Sequence, residues 1–360
     1  MKDNYVVIMA GGIGSRFWPI SRSRYPKQFI DIFGIGETLI QSTYNRFKLI
    51  VPEQNIFIVT NKNHVNLLRE QLPNLEDNQI LSEPVMRNTA PCIAYACYKI
   101  NQLNPHANIV VTPSDHLIIN TDEFIECINK ALKTASKHDC LLTLGVLPSR
   151  PDTGYGYIQY TNKILDSDFK KVKTFTEKPN EELATTFIQS GDFLWNSGIF
   201  IWSAESILKS LNKYIPELTE TFLEGSSLYN TEKEQDFITN AYPRCPNISI
   251  DFAIMEKAEN VYVLPVKFGW SDLGTWGSIY GLATKDPKGN FVKAKDNVML
   301  YDSTNCLVNI SSDKLVVLQG LNDYIVVESE HALLIFPKKK EQYLKQILAD
   351  IKKRFGKKYI

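Results

Sequence analysis

Tyr5-Val6-Val7-Ile8-Met9-Ala10-Gly11-Gly12-Ile13-Gly14-Ser15-Arg16 is a continuous apolar, largely β-branched run that ends abruptly in three glycines, a serine and an arginine. An apolar run without alternation suits a strand buried on both faces, as in a parallel sheet. Glycines at its carboxyl end let backbone N–H groups approach a polyphosphate, and Arg16 adds a cation where phosphate charge would collect. Farther on, Pro26-Lys27-Gln28 supplies a second cation able to return to the same loop. Neither common glycine loop fits. A P-loop needs G-x-x-x-x-G-K-[ST], and a dinucleotide fingerprint needs a small residue where Phe17 stands.

Working outward, apolar runs recur at 55–60, 108–112 and 140–146 with helix-like segments between them. That alternation predicts βαβ units, hence an α/β, Rossmann-like domain around a mostly parallel sheet, with ligands at the carboxyl ends of its strands. Past about residue 280 the texture changes to very short strands at 298–301, 307–310, 315–318, 324–327 and 333–336, punctuated by Asn, Asp, Ser and Gly. Strands that short suit a small β-solenoid or compact β-layer. The predicted division is 1–285 and 286–360. From Pro337 the chain is strongly basic, with Leu344, Ile347, Leu348, Ile351 and Phe355 at helical spacing. We read this tail as an amphipathic helix with a solvated basic face, a structural attachment rather than a catalytic part.

The 360 residues are 44% apolar and 22% charged, which excludes disorder as the general state. Forty basic and forty acidic side chains cancel, so no global field attracts nucleic acid or an anionic membrane surface. No apolar stretch reaches the roughly 18 residues of a membrane span. Six cysteines contain no C-x-x-C pair and no histidine at metal-ligand spacing. They read as buried thiols of a reducing compartment, and the expected location is cytoplasmic with no cleavable leader.

The loop and its lysine do not stand alone. Glu83-Pro-Val-Met-Arg87-Asn88-Thr89-Ala-Pro91, Thr112-Pro-Ser-Asp115-His116, Gly154-Tyr-Gly156-Tyr-Ile158, Phe175-Thr-Glu177-Lys178-Pro179, Trp195-Asn196-Ser-Gly-Ile-Phe200 and Trp270-Ser-Asp272-Leu-Gly-Thr-Trp276 follow in order. Together these blocks resemble the sugar-1-phosphate nucleotidylyltransferases, most closely the mannose-1-phosphate guanylyltransferase branch, over roughly residues 5 to 280. The resemblance implies a nucleotidyltransferase domain followed by a small left-handed β-helix-like part and a terminal helix. It also implies GTP, mannose 1-phosphate, Mg²⁺, and GDP-mannose and pyrophosphate as products of an in-line displacement. A homodimer is compatible with it. Because longer relatives append a histidine-rich cupin and His331 is the only histidine past 138, the chain is expected to be monofunctional.

A phosphate monoester is already anionic near neutral pH, so such a transfer needs cations and alignment rather than a general base. The resemblance assigns catalysis to Arg16, Lys27, Asp115, Lys178 and Asp272. It gives the nucleotide to Gly11, Gly12, Gly14, Ser15, Arg16, Lys27, Glu83, Arg87, Asn88, Thr89 and Asp115. The sugar goes to Gly156, Glu177, Lys178 and Asn196, and Mg²⁺ to Asp115 and Asp272. On local grounds alone Asp115 could equally cap a helix or turn, and Asp272 reads as an Asx-turn. Glu177-Lys178 could be a surface pair, and Gly156 and Asn196 turn residues. Residues 89–100 form an N-capped helix whether or not the block reads guanine. His116 is left structural, since Mg²⁺ prefers oxygen. Alternatives kept open are another sugar such as a manno-heptose, another base, or a catalytically silent regulatory subunit.

Overall fold

The computed structural model describes residues 2–12, 14–166 and 168–360; Ile13 of the glycine loop lies outside them. The chain forms two compact units, one of Met1–Gly11, Thr43–Ser114 and Ile118–Trp270, the other of Gly12–Ser42, Asp115–Leu117 and Ser271–Ile360.

In the first unit the expected apolar runs become β1 (Asn4–Ala10), β2 (Ile56–Asn61), β3 (Ile80–Glu83), β4 (Asn108–Pro113) and β5 (Leu141–Val146). They are joined by β6 (Gly156–Leu165), β7 (Phe169–Glu177), β8 (Phe193–Ser203) and β9 (Val261–Val266). Among the described residues these make one nine-stranded sheet in the order β3-β2-β1-β4-β8-β5-β9-β7-β6. The block β3-β2-β1-β4 is parallel throughout. Beyond it the expectation of a mostly parallel sheet fails, and the sheet is mixed. Strand β8 runs antiparallel to both β4 and β5, and β6 and β7 pair antiparallel because the three residues between them are too few for a crossover.

The helix Thr89–Leu103 is buried on every side from Ala90 to Ile100. Its core includes Tyr95, Trp202, Phe222 and Tyr242. Lys99 cannot stay charged there alone. Its ammonium lies 2.6 Å from Glu234, whose carboxylate also accepts from the Tyr95 hydroxyl and the Asn230 N–H, both at 2.6 Å.

The second unit carries β10 (Phe291–Lys293), β11 (Val298–Tyr301), β12 (Leu307–Asn309), β13 (Val316–Gln319), β14 (Tyr324–Ser329) and β15 (Ala332–Pro337). The chain alternates between two parallel sheets, β10-β12-β14 and β11-β13, and β15 closes the first by an antiparallel pairing with β14. Cys306, Val308, Ile310 and Val326 form a small core within these coils. The expected terminal helix spans Leu344–Phe355, with Leu344 buried and Leu348 and Ile351 packed on a core containing Phe17, Trp18 and Trp276. No helix among the described residues is long and apolar enough to cross a membrane, and all six cysteines are free thiols.

Replacing Glu234 by Ala should cost about 3–5 kcal/mol in urea unfolding, because it strands the Lys99 charge and two further donors. A loss below about 1 kcal/mol would show that Lys99 escapes to water.

Candidate active site

The side chains singled out by the sequence fall into three groups, one in the second unit and two in the first. In the second unit, Gly14 adopts φ +66°, and a Cβ placed on it would lie 2.3 Å from Cβ of Lys27. Glycine is therefore required twice, for the left-handed backbone and for the passage of the lysine stem. The glycine loop and the Pro-Lys-Gln motif thus meet. The Lys27 ammonium, with its side chain only 4% exposed, lies 3.0 Å from the Asp115 carboxylate and donates to the Asp272 carbonyl oxygen at 2.6 Å. The Phe17 ring lies 5.4 Å away. Burial pushes the Asp115 pKa up, but the charges of Lys27 and His116 outweigh it and hold the carboxyl below its ordinary value.

Asp272 does form the Asx-turn that its local sequence suggests: Oδ1 accepts from the Gly274 N–H at 2.8 Å, and Leu273 sits at φ +45°. The other carboxylate oxygen has no hydrogen-bond partner among the described residues, so the turn presents an acceptor rather than consuming it. A cavity of about 300 Å³ is lined by Arg16, Lys27, Asp115, His116, Asp272 and Lys345, together with Gly14, Ser15 and Phe17. Arg16 makes no hydrogen bond or ion pair with the described residues. Gly12 faces open space. The donor set suits Mg²⁺: two hard carboxylates beside a cavity able to admit phosphate oxygens.

In the first unit, Glu83 ends β3 and is 4% exposed, bonded to the Tyr242 hydroxyl. A Cβ on Gly11 would lie 3.2 Å from its Oε2. Burial, opposed by the Tyr242 bond, pushes its pKa up to about 7. Arg87, Asn88 and Thr89 spend polar groups on the fold. Arg87 donates to the Pro243 carbonyl at 2.5 Å, Asn88 caps the helix Thr89–Leu103, and the Thr89 hydroxyl accepts from the Ile250 N–H. The helix-capping role of this block is therefore present in full. Asn88 does it at φ +66° and ψ −167°, a backbone conformation that residues other than glycine rarely adopt.

The third group, also in the first unit, brings Gly156, Glu177 and Asn196 together. Gly156 is paired with Glu177 across the β6–β7 ladder, and a Cβ on it would lie 2.8 Å from the Glu177 carboxylate and 3.6 Å from Asn196. Lys178 is ion-paired with Glu177 and held at φ +44°. Asn196 donates to Asp251 at 2.8 Å while accepting from the Gly198 N–H. Burial raises the Asp251 pKa, with the Asn196 bond opposing it. Asp251 was not anticipated from the sequence; a lone acid in the apolar segment Ile250–Met255 was its only signal.

The nucleotidyl transferase family model matches residues 5–289. The chain belongs to that family. It is 37% identical over 351 residues to the alginate biosynthesis protein AlgA of Pseudomonas syringae pv. tomato, covering 96% of this chain and 71% of that protein. It is 34% identical over 353 residues to a mannose-1-phosphate guanylyltransferase of Escherichia coli, covering 96% and 73%. A solved structure from Thermus thermophilus, described as a mannose-1-phosphate geranyltransferase, matches with a TM-score of 0.87 at 26% identity over 97% of this chain and 99% of that one.

Glu83 gives a pH test. Its folded pKa near 7 lies above the ordinary 4.5, so the folded state holds the proton longer than the unfolded chain. Stability should therefore fall as pH rises from about 4.5 through about 7, by on the order of 3 kcal/mol. Glu83→Gln should flatten that slope in thermal or urea titrations, and parallel profiles for the two proteins would contradict the buried carboxyl.

Proposed function

We propose that the chain transfers GMP from GTP to mannose 1-phosphate, giving GDP-mannose and pyrophosphate. The observation that carries this reading is the Lys27 ammonium, buried against the Asp115 carboxylate and the Asp272 turn in a cavity that also offers an uncommitted Arg16. Such a site neutralises and aligns phosphates, which is what attack of one phosphate anion on another requires.

In this reading Gly12, Ser15, Arg16 and Lys27 hold the triphosphate. Asp115 and Asp272 would hold Mg²⁺, which when bound supplies charge neutralisation on phosphate oxygens. Glu83 accepts from guanine N–H groups, and Gly11 leaves room for it. Arg87, Asn88 and Thr89 shape that pocket through the segment they tie down. Glu177, Asn196 and Gly156 receive the sugar hydroxyls, and Lys178 its phosphate. Residues 1–285 form the transferase part; residues 286–360 form a β-helix-like part, left-handed in coil, with the terminal helix. We place the reaction in the cytoplasm, where the free thiols stay reduced.

Asp272→Asn keeps the acceptor for the Gly274 N–H but removes the charge, so it should lower kcat by roughly 10²-fold or more with little loss of stability. Asp115→Asn should do the same, and the double variant should be scarcely worse than the weaker single one. Near-normal turnover of Asp272→Asn at limiting Mg²⁺ would reduce Asp272 to a turn residue.

Base choice is read from pyrophosphate release across GTP, ATP, UTP, dTTP and CTP. GTP should lead ATP by about tenfold or more in kcat/KM, the scale of one unpaired buried polar group. Equal use of UTP or dTTP would overturn the guanine assignment. A preference for a manno-heptose phosphate in place of mannose 1-phosphate would overturn the sugar.

A further inference from the structure

We propose that Lys345, on the terminal helix, is a third cation of the phosphate cavity and binds the pyrophosphate end of the nucleoside triphosphate; this rests on the phosphate reading above. Lys345 lines the same cavity as Arg16, Lys27, Asp115 and Asp272. Its ammonium is exposed and makes no hydrogen bond or ion pair with the described residues, so it is available to a ligand.

Its position is held from several sides within the second unit. The preceding Leu344 is 2% exposed, and Leu348 and Ile351 pack on the core that contains Phe17, Trp18 and Trp276. Before the helix, the Glu341 carboxylate accepts from the Gly277 N–H at 2.8 Å, just past the turn that bears Asp272. After it, the Tyr359 carbonyl accepts from the Trp18 indole at 2.6 Å, next to the glycine loop. The tail is thus fastened to both elements that form the cavity, and the attachment expected from its sequence also sets Lys345 at the cavity edge.

Charge favours the role. Among the residues that line the cavity, the formal charges of Arg16 and Lys27 are matched by Asp115 and Asp272, so before a metal ion binds Lys345 is the cation in excess. With it the balance is positive, and the added donor is a flexible point charge suited to terminal phosphate oxygens.

The test uses inorganic tripolyphosphate as a competitor of GTP on the full chain. Lys345→Ala should weaken its inhibition about tenfold, the scale of one charged hydrogen bond, and raise KM for GTP similarly. KM for mannose 1-phosphate and the melting temperature should stay at their original values. Lys345→Arg should recover most of the loss, and Lys352→Ala, the same charge removed two turns on, should behave as the unaltered protein. Unchanged tripolyphosphate inhibition and GTP KM in Lys345→Ala would overturn the proposal. If Arg16→Ala still weakens that inhibition, only the Lys345 assignment fails. If Arg16→Ala is also without effect, the phosphate reading of the cavity fails with it.

Discussion

A lysine ammonium withdrawn from water must be given partners, because an unpaired buried charge costs several kcal/mol. Lys27 meets that demand with the Asp115 carboxylate and the Asp272 carbonyl, and three distant stretches of chain are thereby tied to one atom. Gly14 is bare because the lysine stem passes where its Cβ would be. Leu273 accepts a left-handed backbone so that the carbonyl before it can face the ammonium while the turn closes on Gly274. The same arrangement holds the Asp115 carboxyl below its ordinary pKa, so it stands ionised at the cavity wall.

A second constraint of the same kind operates where β6 and β7 end. Gly156 exists in its present form because a carboxylate and an amide crowd its α-carbon, and the positive φ of Lys178 turns the chain so that its ammonium folds back on Glu177. Positions of this type persist only when their surroundings over-determine them. Here the surroundings are the β-ladder on one side and the Asn196–Asp251 bond on the other.

Much of this could be read from the residues. Apolar runs without alternation correctly marked β1, β2, β4 and β5, and short strands separated by turn residues correctly marked the coiled segment past residue 286. Pairing of the glycine loop with Lys27 was legible because two cations after one strand suggest one anion. What the residues do not encode is strand order: nothing in the composition of β8 says that it inserts antiparallel between β4 and β5, since burial on both faces looks alike in either direction. Asp251 was hidden because one acid in an apolar segment has no periodicity. Lys345 was hidden among eight other basic residues of the tail, whose helical spacing marked which face is buried but not which lysine overlooks a cavity.

The most direct measurement is a crystal structure of the full chain with GDP-mannose and Mn²⁺ in place of Mg²⁺, the ion located by its anomalous scattering. The account predicts the ion between the carboxylates of Asp115 and Asp272, at about 2.1 Å from an oxygen of each, with the remaining ligands from the diphosphate and water. An ion bound elsewhere, with Asp115 paired only to Lys27 and Asp272 closing only its own turn, would contradict it.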